Sequence, residues 1–459
     1  MSNADLNRGA VQARTMAPVR HVHLGLGNFF RAHQAWYTDR CPDAGDWGIA
    51  AFTGRSTEVP QRLNEQECLY TLLTRGAKDD DFRVVASLSA AHPGTDQESL
   101  LGYLASPDVR VVTLTVTEAG YRRNASGGLD REDPHVQTDI ATLRAGGDEP
   151  LRTLPGRLVG GLAARRRADA GPIAIVSCDN LAGNGAAANA VLRDVASDVD
   201  PDLLDWIDEE VAVVTTMVDR ITPRTTPEIR EAVEAATGRH DAAPVATEPF
   251  SEWVVSGKFP GGRPAWHDAG ATFTDDIEPY EHRKLWLLNG GHSLLAYLGS
   301  IRGHATVDDA IADEVCRTSL ETWWAEAAAH LSQPPADISA YQARLLDRFG
   351  NARLPYQLDQ IAADGSQKLP VRILPVLRAE RSAGRMPSGA VCAVAAWITH
   401  LRGHGAAIND PAADTLTSKA DGGLSDAVPR VLAALDPHLP DDEALTTQVT
   451  AEARRLDPR

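Results

Sequence analysis

Lysine is scarce in this chain. Of 45 basic residues only Lys78, Lys258, Lys284, Lys368 and Lys419 are lysines, so arginine carries most of the positive charge. Arginine keeps its proton in proteins whereas lysine can lose it, so few side-chain amines here could serve as a base. Lys78, Lys258 and Lys419 sit in loop-like surroundings ("GAKDDD", "SGKFPGG", "TSKADGG"), which singles out Lys284 and Lys368. Cysteine is sparse as well: Cys41, Cys68, Cys178, Cys316 and Cys392 are scattered, odd in number and never in a CxxC pair. That excludes a disulfide framework, gives no structural-zinc spacing and fits a reducing cytoplasm. Long apolar runs are missing too, since stretches such as "AVCAVAAWI" are too short to span a membrane. The opening "MSNADLNRGAVQARTMAPVR" lacks the apolar core of a secretory signal and reads as a disordered leader over residues 1–20. Positive charge is in deficit, with a formal net charge of −18, which argues against binding a phosphate backbone. The expected partners are therefore small molecules, with no nucleic acid and no membrane, for a cytoplasmic monomer or small homo-oligomer.

With 459 residues, 43% apolar and 24% charged, the chain is long enough for two globular domains. The first half alternates buried strand-like runs with helical segments. The runs are "VRHVHLGLG", "WGIAAFTG", "FRVVASLSA", "DVRVVTLTVTE", "GPIAIVSCDN" and "EVAVVTTMVD". Such β-branched runs with helical crossovers predict an α/β domain with a doubly wound, mostly parallel sheet. The Pro/Gly-rich "SGKFPGGRPAWHDAG" interrupts the pattern, and beyond it the segments are helical. These include "HRKLWLLNGGHSLLAYLGSI", "VDDAIADEVCRTSLETWWAEAAAHL" and "GAVCAVAAWITHLRG". The boundary falls near residue 275, giving a Rossmann-type domain over 21–275 and a mainly α-helical domain over 276–459. The arginines of "AARRRADAG" read as a solvated helix end.

Gly25 and Gly27 of "HLGLGNFFRAH" lie between the first strand and a helix, where a dinucleotide pyrophosphate can rest. The third glycine of GxGxxG would fall at position 30, which is Phe30, so the fingerprint is incomplete. After the second strand, where an acid would hold the ribose of NAD, stand Thr53, Gly54, Arg55 and Ser56. NAD is the expected coenzyme, but an arginine and a serine there suit a 2′-phosphate, so NADP stays open. His21 and His23 of "HVH" read as structural, and no Cys/His cluster has zinc-ligand spacing.

The stretch "KLWLLNGGH" sets Lys284, Asn289 and His292 into an apolar segment with two glycines. On an α-helix Asn289 lies at roughly 140° and His292 at roughly 80° from Lys284, so all three share an arc with Leu285 and Leu288. This suggests polar groups at the edge of a core, where a lysine readily gives up its proton. A helix end with a snorkelling lysine and a satisfied histidine fits the same residues. Tyr280 and Lys284 also form Y-x-x-x-K, although far from the glycine turn.

Taken together, "GLGNFFRAHQ", "LTVTEAGY", "SCDNLAGNG", "TMVDRITP", "GRPAW", "KLWLLNGGH" and "DGSQKLP" resemble the polyol-specific long-chain dehydrogenases. This is the mannitol dehydrogenase and fructuronate reductase family, whose specific signature is K-x4-N-x2-H. The resemblance spans roughly residues 20–405. It implies metal-free NAD(P) oxidation of a polyol or sugar acid, at a site to which both domains contribute. It also implies Lys284 as general base, Asn289 and Asn180 as an oxyanion pair, and His292 as the group orienting a substrate hydroxyl. Asp219, Lys368 and Gln360 would bind substrate, and Glu281 would serve a proton path. Gly25, Gly27, Phe29, Arg31, Arg55 and Glu118 would bind the coenzyme. Gln360 stands where mannitol enzymes, so aligned, have arginine; it agrees better with uronate reductases and arabinitol enzymes. A mannitol 1-phosphate 5-dehydrogenase type of activity and a non-catalytic nucleotide sensor are the alternatives, although no arginine cluster for a phosphate is evident.

Overall fold

The computed structural model describes residues 4–54, 56–147 and 149–457. The chain divides into two compact units, Met1–Ile277 and Glu278–Arg459.

In the first unit, apolar β-branched runs become strands buried on both faces, as a covered parallel sheet demands. Val19–Leu24 (β1), Gly48–Phe52 (β2), Leu88–His92 (β3), Val111–Leu114 (β4), Ile173–Ser177 (β5) and Val211–Asp219 (β6) all run parallel. Glu252–Ser256 (β7) lies antiparallel to β6, and Thr272–Phe273 (β8) closes that edge. The strand order is β3-β2-β1-β4-β5-β6-β7-β8. Its first six members have the Rossmann order, whose direction of winding reverses between β1 and β4. Helices such as Leu154–Arg167 and Asn184–Val199 pack Leu158, Leu162, Val191 and Val195 onto the sheet core.

The sequence reading needs correction at several places in this unit. "FRVVASLSA" is two strands: Asp80–Val85 pairs with Tyr70–Arg75 in a separate three-stranded sheet, and β3 joins the main sheet. The chain changes sheets at Ala86 and Ser87, and no glycine or proline in the run marks the change. The expected disordered leader holds structure from Ala4 onward. Ala4–Asp5 pairs with Arg239–His240, Asn7 caps a helical turn, and Leu6 is buried beside Leu69 and Ala86. Of the arginines read as solvated, Arg165 is 1% exposed, and its guanidinium donates to the carbonyls of Leu104, Ser106, Ala170, Gly171 and Pro172.

The regular structure of the second unit's described residues is helical, apart from an isolated bridge between Thr306 and Gln357. Ser388–Leu401 is apolar all round and correspondingly buried, packing against Gly291–Ile301 and Glu443–Leu456. The helix expected over 307–331 breaks at Asp313, whose carboxylate caps Glu314–Ala328 by accepting from the N–H groups of Val315 and Cys316. No helix among the described residues is long and apolar enough to cross a membrane. All five cysteines are free and buried.

Candidate active site

In the first unit the candidate residues follow the carboxyl ends of parallel strands: Gly25 and Gly27 after β1, Glu118 after β4, Asn180 after β5, and Asp219 at the end of β6. Open α/β sheets bind ligands along that edge, at the reversal of strand order. Gly25 is required by its backbone. Its φ is +118°, and a Cβ would lie 2.0 Å from the Thr115 carbonyl oxygen. Gly25 and Leu26 donate their N–H groups to the Phe52 carbonyl, and the Thr115 hydroxyl donates to the Gly25 carbonyl. Gly27 then caps the short helix Asn28–Ala32. Phe30, in place of a third glycine, stacks on the His23 ring at 3.5 Å between centroids. His23 and His21 share the Thr113 hydroxyl, and His23 also reaches Thr115. Burial keeps both imidazoles neutral, lowering His21 to about 3. The pair thus forms a polar ladder under the glycine turn.

Phe29 is half-buried and stacked on His33. Arg31, expected to meet coenzyme, is 4% exposed and turned inward. Its guanidinium donates to the Ala243 and Gly27 carbonyls and to Asn28 Oδ1, so it braces the turn. Arg55 lies outside the described residues. Its neighbour Gly54 faces open space, with nothing within 4 Å of a Cβ built there. Glu118 is exposed and opens the short turn Glu118–Tyr121.

Sequence reasoning passed over Asp179, which ties two of these strand ends together. Its carboxylate accepts from the Val116 N–H, the Tyr121 hydroxyl and the Ser177 hydroxyl. Burial raises it to about 6. Asn184 completes the frame by donating to the Asp179 and Thr216 carbonyls and accepting from the Thr216 N–H. The exposed Asn180 thus follows a fixed neighbour. The repeated polar letters of "SCDNLAGN" were the available signal.

In the second unit the stretch Lys284–Gly290 is a π-helix between the α-helices Glu278–Arg283 and Gly291–Ile301. This corrects the α-helical angles used above. A π turn closes i→i+5, so Lys284 and Asn289, five apart, lie nearer to one face than the roughly 140° of an α-helix would put them. Trp286, Leu287 and Leu288 are buried, while Lys284 and Asn289 keep partial exposure. His292 is 7% exposed, its ring held by Phe349 at 4.6 Å and Tyr356 at 5.4 Å. Glu281 is half-buried one turn before Lys284.

Lys368 lies on Gly365–Arg372, where Asp364 enters with φ +59°. Its ammonium donates to the Ala363 carbonyl at 2.5 Å and the Ile361 carbonyl at 3.3 Å, with Asp364 at 3.8 Å. Burial, with Arg372 close by, lowers its pKa. Arg372, one turn on and not foreseen, donates from Nη1 to the Asn289 carbonyl at 3.4 Å and to Ser293 Oγ at 3.2 Å. Gln360 is exposed. One group missed by spacing alone is His304, Asp313 and Cys316, whose ligand atoms lie within 4.8 Å of one another. The Asp313 carboxylate there is already bound by Arg302 and His304.

The sequence matches the mannitol dehydrogenase Rossmann domain over residues 19–268 and the mannitol dehydrogenase C-terminal domain over residues 276–457. It is 37% identical over 394 residues to D-mannonate oxidoreductase of Escherichia coli (strain K12), covering 84% of this chain and 80% of that protein. A Pseudomonas fluorescens mannitol 2-dehydrogenase, solved as a ternary complex with NAD and D-mannitol, is similar with a TM-score of 0.84 at 32% identity, over 99% of this chain and 97% of that one. A D-sorbitol dehydrogenase in substrate-free form gives a TM-score of 0.88 at 28% identity, over 100% and 96% of the two chains. The chain belongs to the mannitol dehydrogenase family of nicotinamide-dependent polyol and sugar-acid dehydrogenases.

Proposed function

We propose that this enzyme interconverts a secondary alcohol of a linear sugar acid or polyol with the corresponding ketose, using Lys284 as general base and NAD as coenzyme. The observation that carries this reading is the π turn Lys284–Gly290, which holds Lys284 and Asn289 just ahead of His292, whose ring packs on Phe349. The coenzyme side is supported by Gly25, whose positive φ makes the tight turn after β1, and by Gly27 and Gly54, which leave space at the carboxyl ends of β1 and β2. Bound nicotinamide supplies the hydride acceptor. Neutral Lys284 takes the hydroxyl proton, and Glu281, one turn earlier, passes it toward solvent. The amide N–H groups of Asn180 and Asn289 donate to the oxygen as it acquires charge. His292 orients a neighbouring hydroxyl, while Asp219 and Lys368 bind the rest of the chain. Lysine, asparagine and a single histidine are a poor donor set for zinc, which supports a reaction without metal.

Among substrates, the mannonate/fructuronate pair stands ahead of mannitol/fructose. Lys368 and Arg372 place two cations one helical turn apart, with Arg372 on the Asn289 carbonyl, which suits a carboxylate end. Gln360 and the similarity to a D-mannonate oxidoreductase point the same way. The test is absorbance of reduced nicotinamide, crossing NAD and NADP with mannonate, mannitol, arabinitol, sorbitol and mannitol 1-phosphate. Turnover with mannonate, and with fructuronate in reverse, is expected. Turnover confined to uncharged polyols would overturn the preference for an acid. Coenzyme binding with no turnover on any substrate would instead make the protein a sensor.

A further inference from the structure

A π turn is rare and does not form from local preference, so something outside the helix must hold it open. Two indoles meet that need here. Trp323 and Trp324, on Glu314–Ala328, are 0% and 3% exposed. Trp323 Nε1 donates to the Trp286 carbonyl at 2.9 Å, and Trp324 Nε1 donates to the Leu287 carbonyl at 2.8 Å. At the same exit from the turn, the Gly291 N–H donates to the carbonyls of Leu287 and Leu288. The two glycines of "NGGH" make room for the rings. A Cβ on Gly290 would lie 2.8 Å from Trp323 Cζ2, and one on Gly291 would lie 3.2 Å from Trp324 Nε1 and 2.8 Å from Leu320 Cδ1. Adjacent tryptophans on one helix thus grip adjacent carbonyls on another, between the residues assigned to chemistry. Without the wide turn, five residues of α-helix would rotate Asn289 about 140° away from Lys284.

We propose that Trp323 and Trp324 are positioning residues for the reaction: their N–H groups hold open the π turn that aligns the Lys284 amine with the Asn289 amide. They act through backbone carbonyls of the turn, and the inference rests on Lys284 being the base. It accounts for the second glycine of the motif, which a base and an oxyanion donor alone do not require.

The test replaces either tryptophan by 3-benzothienylalanine, which keeps the ring's volume and removes the N–H. A shift of the base by a fraction of an ångström should lower kcat roughly ten- to a hundredfold. The KM for coenzyme should stay the same, and the acidic limb of the pH profile of kcat/KM should move. Unchanged kcat and an unmoved limb would overturn the proposal, as would equal loss of coenzyme binding, which would signal general damage. If an analogue variant fails to fold, Trp324→Phe is the second variant, with the same split expected. Lys284→Ala is measured alongside. If it retains turnover, the base assignment fails whatever the indoles do. If it loses turnover while both analogue variants keep theirs, the indole clamp alone fails.

Discussion

Gly25 shows how much one residue can decide. Its positive φ and the Thr115 carbonyl 2.0 Å from any added Cβ leave no room for a side chain. Gly25→Ala should therefore push β1 and β4 apart at their carboxyl ends, weaken coenzyme binding by an order of magnitude or more and cost about 1–3 kcal/mol of stability. Isothermal titration with NAD and thermal melting check both effects, and unchanged binding would remove Gly25 from the coenzyme cradle. The glycines were legible in the sequence because their place after a strand has a mechanical meaning. Arg31 was harder to read, since a string of letters does not show which way a long side chain turns. Three bonds to Ala243, Gly27 and Asn28 send it inward. Arg165 eluded the sequence for the same reason, because its buried carbonyl partners come from distant loops as well as its own.

At the scale of elements, Asp179 links the ends of β4 and β5 through Val116 and Tyr121. Burial lifts its carboxyl to about 6, above the roughly 3.9 of an unfolded aspartate. A raised folded-state value means that the folded protein holds the proton more tightly. The stability from this group is present below the unfolded value and is lost as pH rises through the folded one. Asp179→Asn has no such titration. From about pH 4 to about pH 7 the wild-type melting midpoint should accordingly fall relative to that of the variant. A constant difference across the range would show that Asp179 does not titrate as described. Most strands were legible because buried β-branched runs announce them. The break in "FRVVASLSA" was not, since both halves can form strands and only their partners differ. The π turn was invisible for a related reason: its cause lies in two indoles some 35 residues further along the chain, and helical periodicity assumes a uniform repeat.

At the scale of the whole molecule, the residues proposed for coenzyme and those proposed for proton transfer belong to different compact units. The change from β-branched runs to helical ones made that division legible in composition. What composition could not supply was the company each lysine keeps: Lys284 on a widened turn, and Lys368 drawn toward the Ile361 and Ala363 carbonyls. Division of labour between the units predicts that chemistry can be lost without loss of nucleotide. The most direct measurement is turnover of Lys284→Ala with its best substrate, together with NAD affinity and rescue by small primary amines. The variant should lose about 10²–10⁴-fold in kcat, bind NAD as the wild type does, and regain turnover in proportion to added amine. Intact turnover, or turnover and NAD affinity lost together without rescue, would contradict Lys284 as the base.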